Sequence, residues 1–330
     1  MPAPCSLGLL NQAGERFLHR HMPASPEPLL QAMAPAREAL VVCVAGLFTW
    51  SWLADLCARE GRPGVLGPAR SMQAIHGGKA THEQIDAPKM AVVLRSGRLP
   101  HASVYPADMR APRDRLRRRR HVMRTRAEWR GPLPPTTRQY HLPAMGTQIA
   151  DKANRDGVAE RLADPAGPKR IEVDLALMGH DDALRRDIER SLRKAAQPHD
   201  APTLSLRRTG PGSGESLSLV LLYEIQDLQR FPRVQDFVSD GRLVKCAKES
   251  AGKRDGPAGT KIGHAYLTWA FSEAAVLFLR ANPAGQKSRA RLEKTQGQGK
   301  ALTVLAQKLA RAVYDMWKRD TKFDLDKFFN

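Results

Sequence analysis

Residues 241–275 read GRLVKCAKESAGKRDGPAGTKIGHAYLTWAFSEAA, and the fold and function of the chain turn on them. Ser250 stands at the centre, between Lys248-Glu249 and Ala251-Gly252-Lys253-Arg254. The run is so rich in glycine and lysine that it predicts a mobile cationic loop rather than a regular element. Downstream, Ile262, Tyr266, Trp269, Ala270, Ala274 and Leu277 recur at helical spacing, so the loop is expected to lead into a partly buried helix. A hydroxyl ringed by cations and anchored to a rigid helix is what attack on a phosphodiester, or its binding, requires. The same residues also suit an ordinary solvated loop.

Across 330 residues, 53 Lys and Arg outnumber 34 Asp and Glu, for a net charge of +19. Such a balance favours a polyanionic partner, nucleic acid above all, although a ribosomal or membrane-surface role would carry the same charge. Cys5, Cys43, Cys57 and Cys246 form no C-x-x-C pair, so they are expected as reduced, mostly buried thiols rather than zinc ligands. The longest uncharged run, residues 39–54, is shorter than the roughly 20 residues of a spanning helix. The opening MPAPCSLGLL lacks the basic start of a signal peptide, so a cytoplasmic location is expected.

Residues 5–10 and 15–22 are short apolar-leaning runs separated by Asn11-Gln12-Ala13-Gly14, a hairpin signal. Residues 26–33 read as a short helix and Leu40-Val41-Val42-Cys43-Val44 as a buried strand. A helix carrying Trp50, Trp52, Leu53 and Leu56 then runs to Gly61, and residues 64–66 form another strand. This order predicts an α/β domain with a layered, mixed sheet and helices outside it. Next, the Gly-rich stretch His76-Gly77-Gly78-Lys79 runs into a helix on which Glu83 and Asp86, three apart, share one face. Together they could hold a divalent cation, or simply favour the helix dipole.

Between residues 108 and 130, ten arginines (Arg110, Arg113, Arg115, Arg117, Arg118, Arg119, Arg120, Arg124, Arg126 and Arg130) face three acids. Repulsion this dense is tolerated most easily beside phosphates, which Arg holds bidentately, and nucleic-acid contact is favoured over an exposed helix. Gly131-Pro132-Leu133-Pro134-Pro135 ends the helix, and residues 140–169 read as an irregular connector. Residues 171–196 are helical, with Val173, Leu177, Leu184, Ile188 and Leu192 along one stripe, fit to pack in a coiled coil or bundle. Gly210-Pro211-Gly212-Ser213-Gly214 precedes an apolar helix over 217–225. It suits either the phosphate-holding turn of a helix-hairpin-helix module or a plain cap. Helices over 288–293 and 301–317 complete an all-α second half.

Several segments, in order, resemble one family: LFTWSWLADLCAREG (47–61), AIHGGKATHEQIDAPKMAVVLRSGRLP (74–100), VYPADMRAPRDRLRRR (104–119), VDLALM (173–178), SLVLLYEIQDLQRFPRVQDFVSDGRLVKCAKESAGKR (218–254) and GTKIGHAYLTWAFSEAAVLFLRANPAGQK (259–287). The family is that of DEDD-type insertion-sequence transposases, with a resolvase-like N-terminal domain and a serine-bearing C-terminal domain. The resemblance implies a ribonuclease-H-like domain at 1–130, a connector with a long helix at 131–200, and an all-α transposase domain at 201–330. It further implies Mg²⁺ at acidic residues, a guide RNA structured by the element, DNA as substrate, and a homo-oligomer with composite sites. Ser250 falls on the nucleophile position, with Asp86 and Glu83 as catalytic and metal residues. Nucleic-acid contacts are expected at Lys79, Arg113, Arg117, Arg118, Arg119, Arg120, Gly212, Gly214, Lys253, Arg254 and Lys261.

The chain departs from that family at its acids. The first strand has no Asp, as in an N-terminal truncation; Ala45 stands at the Glu position; and of the last pair only Asp86 is kept, Glu83 replacing an Asp. A hard cation needs several anionic oxygens to offset its dehydration, so weak metal binding and little strand cleavage are expected. A non-catalytic nucleic-acid-binding protein derived from such a transposase is the alternative.

Overall fold

Alternating apolar and polar residues in PCSLGLL and RFLHRHMP form two extended segments, β1 Pro4–Leu10 and β2 Arg16–Pro23, paired antiparallel with Cys5 opposite Met22 and Leu9 opposite Leu18. A computed structural model gives the fold and describes residues 4–36, 40–46, 51–68, 83–139, 149, 151, 154–155, 158, 167–198, 214–244, 246–250, 253–258, 263–280 and 282–329. The chain divides into two units, Met1–Tyr105 and Pro106–Asn330.

In the first unit the turn after β1 is closed by Asn11, whose side-chain oxygen accepts the Glu15 N–H at 2.9 Å, while Gly14 takes a positive φ of 91°. The helix α1 Pro26–Met33 follows, then β3 Val42–Ala45, α2 Ser51–Arg59 and β4 Gly64–Gly67. β3 and β4 pair in parallel, Ala45 opposite Gly67, across the α2 crossover. Helix α3 Glu83–Arg95 lies so close to β1 that a Cβ on Gly8 would stand 3.1 Å from the Pro88 nitrogen. Its last residue, Arg95, donates to the Gln12 carbonyl at 3.1 Å.

The order of elements is the one expected, but among the described residues the strands form separate two-stranded ladders rather than one mixed sheet. The ladders meet through side chains instead: Met22 and Val42 share a buried cluster with Leu29, Met33, Leu56 and Cys57. The apolar faces of these short strands are thus covered without backbone continuity between them. Cys5, Cys43 and Cys57 are free thiols, and burial pushes the Cys43 thiol up to about 11, which leaves it inert.

The second unit opens with the arginine helix, α4 Ala107–Arg130, followed by α5 Leu133–Gln139 and the long α6 Gly167–Ala196. α4 and α6 run antiparallel, joined by ion pairs one heptad apart: Arg119 to Glu189 at 2.7 Å and Arg126 to Asp182 at 2.6 Å. Buried Arg155 also reaches Asp182, at 2.7 Å. The buried residues of α6 are Ile171, Met178, Asp181, Asp182, Leu192 and Ala196, whereas Val173 and Leu184 of the expected stripe are 47% and 40% exposed. Of the expected stripe, Leu192 is buried and Ile188 packs against the core, but the packed face also carries Asp182 and Glu189, which meet the α4 arginines. The units divide before α4, so the arginine helix belongs to the second.

α7 Glu215–Ile225 is buried on all sides from Leu217 to Ile225, as expected of an apolar helix at a core centre. It packs against α4 and α9 Ala265–Arg280, while α11 Gln298–Arg319 packs against α8 Val234–Asp240, α9 and α10 Pro283–Gln296, and the short α12 Leu325–Phe329 ends the unit. Their core holds Phe237, Leu267, Phe271, Phe278, Leu305 and Leu309, with Phe237 edge-on to Phe231 and Phe271. The apolar face of α9 is Leu267, Ala270, Phe271, Ala275 and Phe278; Tyr266 and Trp269 flank it.

The expected loop around Ser250 is instead an antiparallel hairpin, β5 Cys246–Ser250 and β6 Lys253–Ala258, so the second half is not all-α. Ser250 pairs with Lys253 across Ala251-Gly252. A two-residue connection containing glycine is a hairpin signal, outweighed in the sequence reading by the density of lysine and glycine.

Candidate functional site

At the centre of the second unit, one carboxylate gathers three cationic or hydrogen-donating side chains from two other helical segments. Glu224 is carried by α7 in the run Leu-Val-Leu-Leu-Tyr-Glu-Ile, and its side chain is 1% exposed. Arg113 of α4 donates from Nε to Oε2 at 2.7 Å. Arg117, one turn on, binds both oxygens, Nε to Oε1 at 2.9 Å and a terminal nitrogen to Oε2 at 3.0 Å. His264 stands 3.2 Å from Oε2 through Nε2. Its Nδ1 accepts the Leu267 N–H at 3.3 Å, which leaves the Nε2 proton for Glu224. Burial alone would raise the carboxyl, but the hydrogen bonds from His264 and Arg117 and the charge of Arg113 hold it down to about 2.

His264 reaches this position through Gly263, whose φ of +104° favours glycine and where a Cβ would sit 2.6 Å from the Asp240 carbonyl. The His264 N–H donates to that same carbonyl. On the solvent side of the cluster, the Arg117 guanidinium lies 4.5 Å from the Tyr266 ring centre. Arg120 lies 4.9 Å from the Tyr266 ring and 4.8 Å from Trp269. Two guanidinium charges on one carboxylate leave the cluster cationic. It fixes the arginine helix to α7 and to the start of α9.

The arginines read as phosphate ligands therefore separate by role. Arg113 and Arg117 hold Glu224, Arg119 holds Glu189, Arg120 stacks on Tyr266 and Trp269, and Arg118 is exposed. Gly214 caps α7, whose first residue Glu215 pairs with Arg193 at 2.9 Å. Lys79, Gly212 and Lys261 lie outside the described residues. So do the side chains of Ser250, Lys253, Arg254 and Glu83, whose backbones are in β5, β6 and α3.

Asp86 is half-buried on α3, two residues before the close contact with Gly8 of β1. Ala45, in the place of an expected acid, ends β3 opposite Gly67. Among the described residues no three His, Cys, Asp or Glu gather as metal ligands. Asp86 is the one acid of the expected pair whose side chain is described, and a single carboxylate is a thin donor set for a hard cation.

Sequence reading missed Glu224 and His264. The signal was there: an acid within an otherwise apolar helical run needs a buried cation, and the nearby arginines supplied candidates.

A basic helical unit cross-tied by arginines, with a serine next to a hairpin connection, is the class of protein these features define. Residues 205–290, which include α7, Glu224, the Ser250 hairpin and His264, match the model of the IS116/IS110/IS902 transposase family. That segment is thus similar to insertion-sequence transposases. No curated protein matches the chain. No helix among the described residues is long and apolar enough to cross a membrane.

Proposed function

We propose that the protein is an insertion-sequence transposase by descent, a DNA recombinase that engages nucleic acid through its basic second unit. The observation that carries this reading is the family match over 205–290, which spans the Ser250 hairpin and its neighbouring helices. In this reading Ser250 is the nucleophile: its oxygen bonds to a DNA phosphorus as the bond from that phosphorus to one deoxyribose oxygen breaks. The N-terminal unit is the counterpart of a ribonuclease-H-like DEDD domain, with Asp86 and Glu83 as its acids. A guide RNA and a homo-oligomer complete the assembly.

Ala45 and the first strand without Asp leave the acids too few to hold Mg²⁺ firmly, so the chemistry is impaired while binding persists. The same observation favours a second reading, a non-catalytic nucleic-acid-binding protein. Strand exchange between two DNA substrates at saturating Mg²⁺, compared with Ser250→Ala, tests both. Residual exchange that vanishes in the variant supports the impaired enzyme. Full binding with no exchange in either protein supports the second reading, and exchange unaffected by Ser250→Ala removes Ser250 from the mechanism.

A further inference from the structure

The antiparallel helices α4 and α6 and the start of α7 line a cleft of ≈ 250 Å³. Leu116, Leu192 and Leu219 lie beneath it, all buried, so the lining that faces solvent is mostly polar. Its walls carry three guanidinium groups, Arg119, Arg185 and Arg193, against two carboxylates, Glu189 and Glu215. The walls differ in how firmly they are set. Glu189 is 18% exposed and takes Arg119 at 2.7 Å and Arg185 at 3.3 Å, which fixes those two cations in place. The Arg193–Glu215 pair is 59% and 36% exposed, and an ion pair that open to water is held weakly. Arg193 can therefore leave Glu215 for a stronger anion at small cost, while Arg119 and Arg185 stay put.

We propose that this cleft holds one sugar–phosphate unit of a nucleic-acid backbone. Arg193 and Arg185 would bind the phosphate oxygens, and Arg119 would supply fixed positive potential. The chemistry matches the walls: a guanidinium fork fits phosphate bidentately. No base edge is read in such a cleft, so binding there is independent of sequence. Glu215 acts as the competing anion that the phosphate displaces. This inference rests on the nucleic-acid reading above.

The test is the anisotropy of a short fluorescein-labelled DNA duplex titrated with the full chain at several salt concentrations. Circular dichroism checks that each variant is folded, and Lys322→Ala serves as the charge control. Arg193→Ala and Arg185→Ala are each expected to weaken binding ~5–20-fold and to lower the slope of log affinity against log salt by about 1, beyond the control. Glu215→Gln, which removes the competing charge, is expected to tighten binding ~3-fold or more. If the wild type binds the duplex but all three variants behave like Lys322→Ala, the cleft assignment is overturned and the wider reading stands. If the wild type does not bind duplex or single strand, the wider reading falls with it. Stabilisation by inorganic phosphate that Arg193→Ala abolishes, with duplex affinity unchanged, would assign the cleft to a small phosphate and overturn the backbone proposal.

Discussion

Replacing Glu224 by Gln keeps the shape of the side chain and removes the charge that Arg113, Arg117 and His264 share. A carboxyl held at about 2 against an ordinary 4.5 corresponds to about 3 kcal/mol of preference for its ionised form in the folded state. Breaking a buried pair by removing one partner costs about 3–5 kcal/mol, so the two routes agree near 3. For a unit of this size each kcal/mol moves the midpoint by about 2–4 °C, and Glu224→Gln should lower the melting temperature by about 6–12 °C at neutral pH. The sign with pH follows from the depressed folded-state value. The contribution is complete above the unfolded carboxyl's range near 4.5 and is lost as pH falls toward 2. Thermal melts followed by circular dichroism at pH 7 and at pH 3 should therefore show the gap between wild type and variant narrowing in acid. A gap of the same size at both pH values, or none at pH 7, would refute the placement of Glu224 as an ionised hub.

Other perturbations follow from the same packing. Gly263→Ala must place a Cβ 2.6 Å from the Asp240 carbonyl at a φ of +104°, so it should cost about 1–3 kcal/mol in thermal stability, additive with no part of Glu224→Gln that depends on His264. Asp182→Asn leaves Arg126 and Arg155 without their shared carboxylate, and urea unfolding should show a loss of about 3 kcal/mol at pH 7. Burial raises the Asp182 carboxyl but Arg126 and Arg155 outweigh it and hold it below its usual range, so this loss too should shrink as pH falls below about 4.

Much of the fold was legible because the signals were local. The order of strands and helices in the first unit, the arginine helix ending at Arg130 and the apolar α7 all follow from periodicity and breakers. What escaped was decided by partners distant in sequence. The packed face of α6 could not be chosen without knowing that Asp182 and Glu189 meet arginines on α4, which a stripe of apolar residues does not reveal. That arginines of the run are tied to carboxylates was not legible, because those acids lie 56 to 111 residues away in the chain. At Ser250, composition argued for a loop, while the pairing of Glu249 with Arg254 and of Ser250 with Lys253 makes a ladder. Residues 205–290 carry the family likeness, and the acids on which catalysis would depend lie in the other unit, at Glu83 and Asp86.

The most direct test of the account is a single gel on which labelled DNA carrying element ends is incubated with the chain and Mg²⁺, then resolved before and after denaturation with detergent. Binding retained with chemistry lost predicts a shifted band in the native lane and free DNA alone in the denatured one. A detergent-resistant protein–DNA adduct that holds most of the bound DNA and disappears in Ser250→Ala would contradict the impairment, and absence of any shift in the native lane would contradict nucleic-acid binding itself.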